Sequence, residues 1–171
     1  YYFPGNADGK FNPARPLSAY DGHELNFPGV FPFPLFRDFD NDGDLDLLLS
    51  NEDGELLYSQ NIAEKPQAAL QLMHPVSTMV LRPRLNAGAL AIPVVTDWDS
   101  DGKNDIIVGA ADAHIYLYKN IGDNTTPVFK AGKMMTAGGY PIILRAGPTG
   151  SVQGEQESDW GYLNPEVADF D

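Results

Sequence analysis

The sequence predicts an all-β chain of repeated antiparallel units, each built around an acidic loop. Three observations carry this. The nonapeptide Asp38-Phe39-Asp40-Asn41-Asp42-Gly43-Asp44-Leu45-Asp46 returns as Asp97-Trp98-Asp99-Ser100-Asp101-Gly102-Lys103-Asn104-Asp105. Both read D-x-D-x-D-G-x-x-D, and a third copy begins at Asp169-Phe170-Asp171. The runs beside these loops are short, apolar and rich in aromatic or β-branched residues, which suits strands and is too short for helices. After each loop the order is the same: an apolar run, a polar four-residue turn, then a run that carries aromatics and ends in Asn.

Taken in order, residues 1–30 read as the end of one unit and its connecting loop. Tyr1-Tyr2-Phe3, a polar turn over Gly5 to Gly9, and Phe11 match Tyr116 to Tyr118, the turn at Gly122 to Asn124, and Phe129. Residues 31–90 form the first whole unit. Phe31 to Phe36 is its first strand, with prolines that a strand's start or an exposed edge tolerates. The acidic loop follows, then the hairpin Leu45 to Ser50, Asn51 to Gly54, Glu55 to Asn61. A fourth strand is expected near Ala68 to Leu72. Pro66 argues against a helix over 62–73. Residues 91–164 form the second unit: Ala91 to Val95, the second acidic loop, Asp105 to Gly109, the turn Ala110 to Ala113, His114 to Asn120, and a fourth strand at Val128 to Ala131. Residues 165–171 open the next unit. The loops recur at 97 − 38 = 59 and 169 − 97 = 72 residues, beyond the ~40–50 residues of common propeller repeats. The excess lies in long connections, at Leu81 to Gly88 and Thr136 to Asn164.

The acidic loops predict a hard cation. Asp38, Asp40, Asp42, Asp44 and Asp46 crowd five carboxylates into nine positions, and without a cation they would repel one another. An all-oxygen, flexible ligand set suits calcium better than magnesium, which keeps its waters and a tight octahedron. Asp97, Asp99, Asp101 and Asp105 repeat the set, and Asp169 and Asp171 start a partial third. Position 7 is Asp44 in one loop and Lys103 in the other. A lysine there requires that the backbone carbonyl, not the side chain, be the ligand. An EF-hand would need an acid at position 12; those positions are Leu49 and Val108, so Asp46 and Asp105 at position 9 close the sites.

Composition narrows the function. The 171 residues carry 24 Asp and Glu against 11 Lys and Arg, a formal charge of −13. Eleven of the 24 acids lie in the three loops, where bound calcium would offset them. With no basic cluster, nucleic-acid binding is not expected. There is no cysteine, and no apolar run long enough to span a membrane. Extracellular calcium suits weak modular sites, which favours an extracellular, cell-surface or periplasmic location.

The pattern of apolar run, D-x-D-x-D-G-x-x-D, apolar triplet, Gly or Ser, turn, strand and Asn resembles the FG-GAP or VCBS repeat. That repeat forms the blades of integrin-α-like β-propellers and their bacterial relatives. The resemblance covers both whole units and the partial ones. It implies a partial β-propeller of four-stranded antiparallel blades, seven when complete, with calcium in each acidic loop. The long spacing and the missing Phe-Gly/Gly-Ala-Pro signature place the match nearer the bacterial type. Two whole blades cannot close a ring, so further blades are expected from the same or another chain.

Two functions follow from the resemblance. One is a binding module whose inter-blade loops meet a glycan or protein. Trp160 is its best sugar-stacking candidate, because Trp98 takes the place of Phe39 and Phe170 inside the motif and reads as structural. The other is a polysaccharide lyase acting on uronates by β-elimination. Arg82, Arg84 and Arg145 would neutralise the carboxylate, with His74, His23 or Tyr140 as base.

Overall fold

The structure is a computed structural model that describes residues 1–27, 29–62, 70–71, 74–75, 85–144 and 163–168. Among these there is no helix, and the strands form antiparallel sheets. The first sheet holds β1 (Phe33–Arg37), β2 (Asp46–Ser50), β3 (Leu56–Ser59) and β4 (His74–Pro75), in that order. The second holds β5 (Ile92–Thr96), β6 (Asp105–Gly109), β7 (Ile115–Tyr118) and β8 (Lys133–Met134), also in order. A small pair, β9 (Thr136–Ala137) and β10 (Tyr140–Pro141), follows.

The second sheet is the first displaced by one constant interval. Strand starts differ by 92 − 33 = 59, and 105 − 46, 115 − 56 and 133 − 74 give the same value. Register is conserved as well: Phe33 faces Ser50 where Ile92 faces Gly109, and Arg37 faces Asp46 where Thr96 faces Asp105. Pro34 and Pro93 sit in the edge strands β1 and β5, where a residue without an N–H is tolerated.

The fourth strands lie later than the sequence predicts, at 74–75 and 133–134 instead of 68–72 and 128–131. Leu70 and Phe129, expected inside those strands, instead make isolated bridges to Asn61 and Asn120. Both side chains are buried. Each therefore anchors the turn into the core before pairing with β3 or β7 resumes.

Alternation along each strand sends neighbouring side chains to opposite faces, and the two faces of β2 meet different partners. Leu48 joins Phe39, Leu56 and Tyr58 against Ala91, Val95, Ile106, Val108 and Phe129 of the second unit. Leu47, on the other face, packs with Ala19, Leu25 and Leu70. Phe39 is the keystone of the first cluster, with ring centroids 5.3 Å from Tyr58 and 6.4 Å from Phe129. The N-terminal residues do turn back on themselves, with antiparallel bridges Tyr2–Arg15 and Gly5–Phe11. Their aromatics Tyr1, Phe3 and Phe11 are exposed, however, unlike buried Phe129.

Residues 163–168 meet the second sheet where Ala91 meets the first. Ser50 Oγ donates to the Ala91 carbonyl, just ahead of β5. At the corresponding position, 109 − 50 = 59, Gly109 lies against Leu163 and Pro165, and a Cβ there would meet the Leu163 carbonyl and stand 2.8 Å from Pro165 Cδ. Leu163 thus takes the place of Ala91, displaced by 163 − 91 = 72 residues, the interval that separates Asp169 from Asp97. Residues 163–168 alternate half-buried and exposed in the phase of β5. Asp169 and Asp171 themselves lie outside the described residues.

Candidate metal centres

Both acidic loops adopt one conformation because the same positions take the left-handed backbone. Asn41 and Ser100 at position 4 have φ of 63° and 58°; Gly43 and Gly102 at position 6 have 92° and 84°. A Cβ on Gly102 would meet nothing within 4 Å, so glycine is required there for its dihedral and not for space. Gly102→Ala is expected to cost ~1–2 kcal/mol, visible as a lower melting temperature in either metal state.

Those dihedrals turn the backbone N–H groups inward. Gly43 N–H donates to Asp38 Oδ2 at 3.0 Å, and Gly102 N–H to Asp97 Oδ2 at 2.9 Å. The N–H of position 7 donates to position 5 in each loop, Asp44 to Asp42 and Lys103 to Asp101, both at 3.0 Å. One carboxylate oxygen from each of Asp38, Asp40 and Asp42 lies within 4.8 Å of the others, and Asp97, Asp99 and Asp105 converge in the same way. Buried Asp38 Oδ1 and Asp44 Oδ1 have no hydrogen-bond partner among the described residues. Converging, incompletely satisfied carboxylate oxygens suit a hard divalent cation. Asp38, Asp40 and Asp42 would hold it in the first loop, and Asp97, Asp99 and Asp105 in the second.

The ninth-position acids do more than close the loops. Asp46 is 1% exposed and Asp105 fully buried. Asp46 accepts the N–H of Phe39 at 2.9 Å and of Asn61 at 2.8 Å. Asp105 accepts the N–H of Trp98 at 3.3 Å and of Asn120 at 2.8 Å. Each carboxylate therefore clamps the start of its loop to the residue beyond the third strand. That explains why each unit ends in Asn, whose backbone and side chain both serve the turn: Asn120 Oδ1 also accepts from Gly122 and Val128.

Burial pushes Asp46 and Asp105 above the ordinary carboxylate range, against the opposing pull of those backbone donors. Asp44 is also raised, by burial and then by the charges of Asp42, Asp46, Asp40 and Asp38. In the metal-free protein a raised native pKa means that the native state binds more protons than the unfolded chain. That stabilisation is complete below the ordinary carboxylate range and is lost as pH rises through the native pKa. Ligation needs the carboxylate form, so saturating metal reverses the sign. Melting temperature is expected to fall from mildly acidic to neutral pH in chelator and to rise over the same interval in calcium. Parallel slopes in the two buffers would contradict this assignment.

Four residues that the sequence reading did not single out complete the loops. Gln60 Nε2 donates to Asp40 Oδ2 at 2.6 Å. The corresponding residue of the second unit, Lys119, pairs with Asp99 and, at 3.3 Å, with Asp101. Asn104 Nδ2 donates to the Phe39 carbonyl at 2.5 Å, tying one acidic loop to the other, while Asn124 Oδ1 accepts the Asn104 N–H at 2.7 Å. Gln60 and Lys119 were detectable, since each precedes the unit-ending Asn.

Trp98 differs from its counterpart. Phe39 is 2% exposed under Phe129 and Tyr58, whereas Trp98 is 47% exposed. The difference is one of neighbours: Phe39 packs with Val95, Ile106, Val108 and Phe129 of the second unit, and Trp98 belongs to neither core cluster among the described residues.

The ligand-binding and catalytic candidates are not brought together among the described residues. Arg82, Arg84, Arg145 and Trp160 lie outside them, and of His74 only the backbone, in β4, is described. Tyr140 is 78% exposed in β10. His23 is exposed and pairs with Asp21 at 3.0 Å. What the fold does assemble is a groove of about 410 Å³, lined in part by Asn86, Gly88, Asp112, Tyr116, Tyr118 and Gly132. Asp112 accepts the Tyr116 hydroxyl at 2.5 Å and the His114 N–H at 3.1 Å. The Tyr118 hydroxyl donates to the Asn86 carbonyl at 3.3 Å. Both hydroxyls are pushed up to about 12, Tyr116 first by its bond to Asp112 and Tyr118 first by burial. They stay neutral donors at physiological pH. The first sheet has Leu57 and Ser59 at the matching positions, so the groove is not a by-product of the repeat.

Among the described residues no helix is long and apolar enough to cross a membrane. Comparison with protein-family models, with curated proteins and with solved structures found no match to this chain.

Proposed function

We propose that the chain supplies blades of a calcium-stabilised β-propeller of the FG-GAP or VCBS type, whose connecting segments bind a glycan or protein outside the cytoplasm. The observation that carries this is the pair of acidic loops with converging carboxylates, each at the same place in one of two sheets related by a constant interval. Calcium is the ion because the ligands are oxygens on a flexible loop. Its role is structural: it offsets mutually repelling carboxylates and ties two strands of a sheet together. Extracellular calcium concentrations suit such sites. The groove between Asn86 and Tyr116 supports the binding half of the reading, since it joins aromatic and small-residue walls with a few fixed polar groups.

Two measurements test the two halves. Equilibrium dialysis against calcium is expected to find at least two ions per chain; none at millimolar calcium would remove the metal assignment. Calcium-loaded protein is then screened against immobilised neutral and uronate glycans. Retention without turnover supports a binding module. Unsaturated products absorbing in the ultraviolet would replace it with a uronate lyase.

A further inference from the structure

The two loops share a backbone but differ in what faces them from the end of the third strand. In the first unit Gln60 offers a neutral amide to Asp40. In the second, 119 − 60 = 59 residues on, Lys119 offers an ammonium to Asp99 and Asp101. Its side chain is 31% exposed, and those of Asp99 and Asp101 are 42% and 32% exposed. Asp40 and Asp99 both belong to the converging sets, so residues 60 and 119 each engage a carboxylate of such a set. We propose that Lys119 is a built-in counter-cation that makes the second loop the weaker calcium site and the first loop the one that fills first. The inference rests on the calcium reading above.

The physical basis is competition for the same oxygens. A divalent ion entering the second loop must either displace the ammonium, breaking two ion pairs, or bind beside it and bear its repulsion. In the first loop the Gln60 amide carries no charge, and it can yield Asp40 Oδ2 to the ion by a side-chain rotation. Asp44 against Lys103 at position 7 adds to the same asymmetry, which is why the test must isolate residue 119. The second loop is in turn partly neutralised without metal, so the second unit retains order at calcium levels that leave the first loop strained.

Site-resolved titration separates the loops. The Gly43 and Gly102 amides donate to Asp38 and Asp97, so their ¹H–¹⁵N shifts report the two sites individually as calcium is added. Gly43 is expected to reach its midpoint at the lower calcium concentration. Lys119→Gln should lower the Gly102 midpoint by ~10-fold and leave the Gly43 midpoint unchanged. The reverse exchange, Gln60→Lys, should raise the Gly43 midpoint by a similar factor. An unaltered Gly102 midpoint in K119Q, with both amides still responding to calcium, overturns the role of Lys119 and leaves the calcium sites standing. Failure of either amide to respond in the parent protein overturns the calcium reading and this inference with it.

Discussion

Transfer of the protein from millimolar calcium to a chelator is expected to lower its melting temperature by ~10–20 °C. On the proposed reading each loop binds the ion only in the native state, since no preformed site exists in the unfolded chain. At a calcium concentration about 100 times Kd, one site contributes ~2.7 kcal/mol, and two contribute ~5 kcal/mol. For a chain of 150–250 residues a kcal/mol corresponds to ~2–4 °C. The cause is local to the loops. Without a cation, Asp38, Asp40 and Asp42 are left converging, Asp44 feels their charge, and the buried Asp38 Oδ1 and Asp44 Oδ1 have no partner among the described residues. Differential scanning calorimetry in calcium and in chelator reads the effect. Coincident melting curves would mean that the loops hold no structural metal.

Asp46→Ala is expected to cost ~2–5 kcal/mol, and unlike other loop substitutions it should do so with or without calcium. Asp46 is buried and accepts two backbone N–H groups, from Phe39 and Asn61. Its removal leaves both donors unpaired in the interior, at ~1–3 kcal/mol each. It also relieves the burial penalty that raises this carboxylate, so in chelator the cost lies towards the lower end of that range. Asp40→Ala provides the contrast. Asp40 is half-exposed, and its partners are the Gln60 side chain and the Asp42 N–H. Its loss should destabilise by about one site's contribution, ~2.7 kcal/mol, in calcium and by little in chelator, where one repelling charge has gone. Urea unfolding of both variants in both buffers distinguishes clamp from ligand. If the two variants lose stability only in calcium, Asp46 is simply another ligand.

The outline of the fold was legible because two independent periodicities coincide. Apolar runs too short for helices fix strands, and an invariant spacing of acids and glycine fixes what lies between them. The eight hydrogen-bonded strands β1 to β8 divide into two sheets whose starts keep one interval. That interval is a property of residue order and needs no tertiary information. The fourth strands were misplaced for an equally local reason. Leu70 and Phe129 look like strand residues, yet a bridge to Asn61 or Asn120 uses each as an anchor, and apolarity alone does not tell an anchor from a rung.

The convergence of the loop carboxylates was likewise written in residue types, since the acids recur at one spacing and only glycine rests easily at φ near 90°. What side-chain order could not reveal is which groups far along the chain face those oxygens. Gln60 and Lys119, the clamp on Asn61 and Asn120, the bond from Asn104 to Phe39, and the groove that joins Asn86 to Asp112 all depend on strands that meet after 15 to 65 residues of intervening chain. Local spacing determines conformation over a few residues. Which distant charge completes a site is decided only when hydrophobic faces pack and bring the ends of separate strands together.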